Sequence, residues 1–133
     1  MATTHLNFLN SFLTVLNSSI GVRKGLPNTQ RKKDAGKKTL VLDLDETLIH
    51  SESSNHMISK PKNSVSISWK NSSNNSQESA YTRLRPSVFK FLALATELFE
   101  VVLFTASMPQ YAKQIVKLLD RSGYHFYLLT RND

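Results

Sequence analysis

The chain has 133 residues, a length that holds one domain, and carries 17 lysines and arginines against 10 acids, for a formal net charge of +7. It has no cysteine, which excludes a cysteinyl-phosphate mechanism, disulfide scaffolding and Cys-ligated zinc and leaves covalent chemistry to oxygen and nitrogen nucleophiles. The excess charge lies in residues 1–38, with seven basic residues to one acid, while the remainder has ten to nine, so the chain lacks the basic face interleaved with aromatics that direct nucleic-acid binding needs.

Leu6, Leu9, Leu13, Leu16 and Ile20 fall at helical spacing, but Asn7, Asn10, Ser11 and Asn17 make the segment too polar for a signal-peptide core. No stretch reaches the ~20 apolar residues that would span a bilayer. The first acid is Asp34 and Ser, Thr and Asn are frequent, which resembles an organellar transit segment, although arginine is scarce; an untargeted extension is the favoured reading. Gly21, Gly25, Pro27 and Gly36 with the run Gln30-Arg31-Lys32-Lys33 mark a linker, so residues 1–38 read as a basic, disordered leader.

Thr39-Leu40-Val41-Leu42-Asp43-Leu44-Asp45 follows, an apolar run ending in two carboxylates. It predicts a buried strand over 39–45 of a parallel sheet, with Asp43 and Asp45 projecting to one side and Leu44 to the other. Ligands of such sheets bind just beyond the carboxyl ends of the strands, where these acids stand. Two carboxylates held together call for a divalent cation or shared protons. Residues 51–84 are rich in Ser and Asn and contain Val65-Ser66-Ile67-Ser68-Trp69, an alternating strand, a turn over Asn71–Gln77 and a second extended piece, Ala80–Leu84. The expectation is a β-hairpin insert.

Pro86 and Ser87 announce a helix, with Ser87 as its cap and Val88, Phe89, Leu92, Leu94, Ala95 and Leu98 on a broad apolar face. Phe99–Phe104 predicts a second buried strand ending at Thr105-Ala106-Ser107. Ser107 and Pro109 then start a helix expected to run to about Ser122, with Tyr111, Ala112, Ile115, Val116, Leu118 and Leu119 facing inward. A third strand is expected over Tyr124–Leu129, ending at Thr130-Arg131. The order predicts an α/β fold with a partial Rossmann-like parallel sheet, flanking helices and a β-hairpin insert after the first strand.

Three strand ends thus offer Asp43 and Asp45, Thr105, and Arg131. A helix N-terminus beside a hydroxyl and a guanidinium favours a phosphate, but bare carboxylates would repel it, which points to a hard cation such as Mg2+ between them. Asp43 could then attack phosphorus, giving an aspartyl-phosphate, while Asp45 serves as acid and base. His5, His50, His56 and His125 show no metal-ligand spacing.

Asp43-Leu44-Asp45-Glu46-Thr47-Leu48 resembles the first motif of haloacid-dehalogenase-type phosphotransferases, and Leu103-Phe104-Thr105-Ala106-Ser107 resembles their second. Leu84-Arg85-Pro86, the run Phe99–Ser107 with Tyr111-Ala112 after it, and Leu118-Leu119-Asp120 narrow the resemblance to the RNA polymerase II C-terminal-domain phosphatases, including the small and Dullard-type members, over roughly residues 37–133. The resemblance implies a haloacid-dehalogenase-like domain over 39–133 with its insert at about 51–84. It implies Asp43 as nucleophile and Mg2+ ligand, and Asp45 as acid/base with its carbonyl on the metal. Thr105, Ala106 and Arg131 would engage the phosphoryl group, with Thr47 as a supporting residue.

The family's third motif, a charge-balancing lysine, and its fourth, an acidic pair, lie downstream of the third strand, and this sequence ends at Asp133. Lys113 and Lys117 read as a solvated helix face and Asp133 as no replacement ligand. The expectation is therefore an incomplete domain whose metal site is short of a carboxylate and whose first strand is an exposed edge, open to a partner or a second copy. The implied substrate is a phosphoserine or phosphothreonine protein, the RNA polymerase II tail being one example, in the nucleus or cytoplasm. Two alternatives stand beside it. One is a non-catalytic peptide-binding module like the mitochondrial presequence-translocase subunit that shares this domain; the other is a gene fragment without function of its own.

Overall fold

A computed structural model describes residues 30–131, except for the side chain of His56. The helical spacing at 6–20 and the terminal Asp133 lie outside the described residues. The chain divides into two units, residues 1–36 and 37–133. The described part of the first holds one 3-10 turn, Lys32–Asp34, with Arg31 Nε 3.5 Å from the Asp34 carboxylate.

The second unit is α/β with two sheets. Its parallel sheet runs β1 (Lys38–Asp43), β5 (Phe99–Phe104) and β6 (Tyr127–Leu129), in the order β1-β5-β6. β5 occupies the centre because its apolar residues are buried on both faces: Val101, Val102 and Leu103 are each at most 3% exposed. β1 pairs with β5 in register from Lys38↔Phe99 to Asp43↔Phe104. Glu100, fully buried in β5, accepts a 2.7 Å hydrogen bond from the Thr39 hydroxyl directly across that ladder. Among the described residues, β1 has no strand on its other side, in keeping with an edge.

The insert has one strand more than a hairpin. β2 (Ile49–Ser53), β3 (Ser64–Lys70) and β4 (Gln77–Leu84) form an antiparallel sheet in the order β2-β4-β3. The Ser-rich piece after the first motif pairs with β4 from Ile49↔Leu84 to Ser53↔Ala80, a polar strand that hydrophobic alternation could not reveal. Val65, Ile67 and Trp69 share a face as expected, with Ile67 buried opposite Ala80.

Two helices complete the unit. α1 (Val88–Leu98) packs through Val88, Leu92 and Ala95, whereas Phe91, Leu94 and Leu98 are exposed. The expected apolar face is therefore narrower: Leu94 and Leu98 do not belong to it. Nor does the Ser87 side chain cap the helix, for Ser87 lies in the left-handed region at φ 61° and makes no capping bond. α2 (Pro109–Leu119) has Met108 as its N-cap and buries Tyr111, Ala112, Ile115 and Leu119, leaving Lys113 and Lys117 exposed.

α2 ends three residues earlier than expected and β6 begins three later. Asp120 explains both, because its carboxylate accepts the backbone N–H groups of Tyr124 and His125. That turn, with His125 at φ 55°, delays the extended chain until Tyr127.

Candidate active site

The first motif leaves the sheet one residue after the apolar run. β1 stops at Asp43 rather than at residue 45, and Leu44 drops into the core, fully buried. A tight turn follows: Glu46 N–H donates to the Ile49 carbonyl and Ile49 N–H returns to the Leu44 carbonyl, with Glu46 at φ 62°. Arg85 secures it from outside, its backbone N–H on the Leu48 carbonyl and its guanidinium 2.8 Å from the Thr47 carbonyl. The simple alternation expected of Asp43 and Asp45 on one strand is thus replaced by one strand-end acid and one turn acid.

Their environments differ accordingly. Asp43 is exposed and accepts from the Thr47 hydroxyl at 3.3 Å. Asp45 is half-buried and its carboxylate is held on both oxygens. Oδ2 accepts from Ser107 at 2.7 Å and from Thr105 at 3.3 Å, while Oδ1 accepts from the Tyr111 phenol at 2.7 Å. Thr105 is buried at the end of β5, its hydroxyl also accepting the Ser107 N–H at 3.0 Å. Ala106 is exposed between them.

Tyr111 carries the network further. Its hydroxyl lies 2.7 Å from Ser51, which lies 2.7 Å from Thr82. A phenol has one proton and a carboxylate only accepts, so Tyr111 donates to Asp45, Ser51 to Tyr111 and Thr82 to Ser51. Burial pushes the Tyr111 phenol well above its ordinary value, and the Asp45 carboxylate adds to that rise, so it stays a donor at neutral pH. Its ring meets Trp69 edge-on, centroids 5.1 Å apart.

A groove of about 320 Å3 opens beside Asp45, with Ser107, Met108 and Tyr111 on one wall, Ser51, Trp69 and Glu78 on another, and Arg131 also lining it. The structure therefore brings Asp45, Thr105 and Arg131 into one neighbourhood, with Asp43 and Thr47 at the adjoining strand end. Sequence reasoning missed Ser107, Tyr111 and Ser51 as functional candidates. Ser107 reads from sequence as a helix start and Tyr111 as core; the available signal was their place just after the second motif, Ser107 before the N-cap of α2 and Tyr111 in its first turn.

Comparison with known proteins decides the family. The sequence matches NLI interacting factor-like phosphatase over residues 38–133. The chain belongs to that family. The human carboxy-terminal domain RNA polymerase II polypeptide A small phosphatase 2 is 40% identical to it over 92 residues, 69% of this chain and 32% of that protein. A probable C-terminal domain small phosphatase of Dictyostelium discoideum is 37% identical over 99 residues, 74% of this chain and 30% of that protein. The solved structure of Fcp1, an essential RNA polymerase II CTD phosphatase, superposes with a TM-score of 0.62 at 24% identity, over 73% of this chain and 30% of that one, which shows a shared fold. The chain thus spans about a third of the length of the curated relatives it matches.

Whether the residues of this family member suit a metal follows from their donor atoms. Both carboxylate oxygens of Asp45 are taken by hydroxyls, so the hard oxygens that would meet a cation here are those of the Asp43 carboxylate and the Asp45 backbone carbonyl. Among the described residues no group of three His, Cys, Asp or Glu gathers, at this site or elsewhere. One carboxylate and one carbonyl, both hard oxygens, fit a cation of the Mg2+ class, which retains several waters and takes its remaining ligands from phosphate.

Proposed function

We propose that this chain carries the nucleophile side of a phosphoprotein phosphatase site working through an aspartyl-phosphate. The observation that supports it most is the asymmetry of the two acids: Asp43 is exposed at the strand end, whereas Asp45 is half-buried and fixed by three hydroxyl donors. A nucleophile must be accessible to phosphorus, whereas an acid/base must be held within reach of a proton.

Asp43 attacks phosphorus of a phosphoserine or phosphothreonine, forming an acyl-phosphate bond as the serine or threonine oxygen departs. Asp45 gives that oxygen its proton. Water then attacks the phosphoryl group, Asp45 takes the water proton, and phosphate leaves with Asp43 regenerated. Thr105 turns its hydroxyl from Asp45 to the phosphoryl oxygens, assisted by the backbone at Ala106 and the Arg131 guanidinium. Thr47 steadies Asp43 between turnovers. The Asp43 carboxylate and the Asp45 carbonyl would hold Mg2+, which would supply positive charge beside the two acids for an approaching phosphate.

The matched relatives are named for the carboxy-terminal domain of RNA polymerase II, which makes a tail of that kind one candidate substrate and favours a nuclear or cytoplasmic setting over the mitochondrial alternative. No helix among the described residues is long and apolar enough to cross a membrane. The intact Asp43-Leu44-Asp45-Glu46-Thr47 turn weighs against a purely peptide-binding role, which has no use for paired acids.

The test is turnover of an aryl phosphate by purified, folded protein with Mg2+. Hydrolysis is expected, and Asp43→Asn should abolish it with the fold intact by circular dichroism. No turnover in folded protein would overturn the catalytic reading.

A further inference from the structure

The groove beside Asp45 is charged in an uneven way that the phosphatase chemistry does not use. In the β3/β4 register, Trp69 stands directly opposite Glu78, so both side chains leave the insert on one face, and both line the groove. Glu78 is half-buried and is oriented by a neutral donor, the Asn71 side-chain amide, on Oε1. Among the described residues no Lys, Arg or His stands within ion-pair distance of it. Arg131 is the cation in the groove lining, and the phosphoryl group claims it.

We propose that Glu78 and the Trp69 ring form a subsite for a lysine or arginine side chain close in sequence to the phosphorylated residue. The proposal rests on the phosphoprotein reading of the same site and adds the class of substrate. A phosphoserine engaged at the Asp43 end leaves its neighbours along a wall that presents one carboxylate and one aromatic ring. An apolar neighbour there would strip water from Glu78 without replacing it, and an acidic one would be repelled. A cationic neighbour gains a charge-assisted hydrogen bond and an aromatic face together. An extended peptide advances 3.3–3.6 Å per residue, so the cation belongs within about two positions of the phosphoresidue.

Trp69 is the single tryptophan of the chain, so its emission reports the subsite without need of turnover. Synthetic phosphoserine peptides carrying Lys, Ala or Glu at positions within about two of the phosphoserine should be titrated against that signal, each beside its dephosphorylated form. The Lys phosphopeptide is expected to bind about tenfold more tightly than the Ala peptide. Glu78→Gln should bring that ratio close to one, and Glu78→Lys should turn the preference toward the Glu peptide. Equal affinity whatever the flanking charge, or a Lys preference that survives Glu78→Gln, overturns the subsite while leaving the phosphatase reading in place. A dephosphorylated Lys peptide that binds as tightly as its phosphorylated form, and still through Glu78, upholds the subsite and overturns the phosphoprotein reading. Absence of binding by every peptide overturns both.

Discussion

Tyr111 is 8% exposed on the buried side of α2, yet its hydroxyl ends on Asp45. A hydrogen bond to a charged partner contributes roughly 1.5–3 kcal/mol. Tyr111→Phe keeps the ring against Trp69 and removes that bond together with the one to Ser51. If the bond fixes the acid/base, kcat should fall about 10- to 100-fold with little change in KM; steady-state kinetics on an aryl phosphate would read it.

His50 offers a test of another kind. Its Nδ1 lies 2.6 Å from Glu46 and its Nε2 3.3 Å from Glu52, and these two hydrogen bonds, Glu46 first, raise it above the ordinary 6.5. The fold therefore favours the protonated ring. Its contribution is fully present below about pH 6.5 and is lost as pH rises through the higher folded value. Because the pair is solvent-screened, the amount is a few tenths of a kcal/mol. Thermal unfolding of the parent protein and His50→Gln should differ at about pH 5.5 and converge at about pH 8.5.

At the scale of elements, α1 separates what burial does from what hydrophobicity alone suggests. Leu92 is fully buried, whereas Leu98 is 66% exposed only six residues later. Leu92→Ala should cost about 2–5 kcal/mol and Leu98→Lys less than about 0.5 kcal/mol, as urea denaturation can check. Apolar character read from sequence placed both on one face, because Lys90 and Glu97, the charged residues of an eleven-residue helix rich in Leu and Phe, mark only a narrow polar side. The strands of the parallel sheet were legible, since β1 and β5 are continuous apolar runs that stop at acids or small polar residues. β2 was not: its residues, Ile-His-Ser-Glu-Ser, owe their extended form to the ladder with β4, a tertiary partner that no local pattern encodes. The ends of α2 and β6 likewise depended on Asp120 reaching forward to two amides. Of the candidate site, Asp43, Asp45, Thr105 and Arg131 could be read from strand ends or just beyond them. The hydroxyls of Ser107, Tyr111 and Ser51 were harder to read, because they arrive from the residue before the N-cap of α2, from α2 itself and from β2.

Across the whole unit, the two sheets are tied at the acid pair. The turn after β1 leads straight into β2, and Ser51 of β2 meets Tyr111 of α2, which meets Asp45. Ser51→Ala and Tyr111→Phe should then be non-additive, with a coupling of about 0.5–3 kcal/mol in a double-mutant cycle on unfolding. A coupling near zero would mean that the insert merely lies against the parallel-sheet layer.

The same row of hydroxyls has an implication for proton traffic. Every donor from Thr82 through Ser51 and Tyr111 points toward Asp45, and the row begins at Thr82, which has no exposure to solvent. It is a cul-de-sac: it can polarise Asp45 but has no reservoir of protons behind it. Whatever proton Asp45 gains or gives must pass through the groove, and a substrate seated there closes the path to bulk water for as long as it stays.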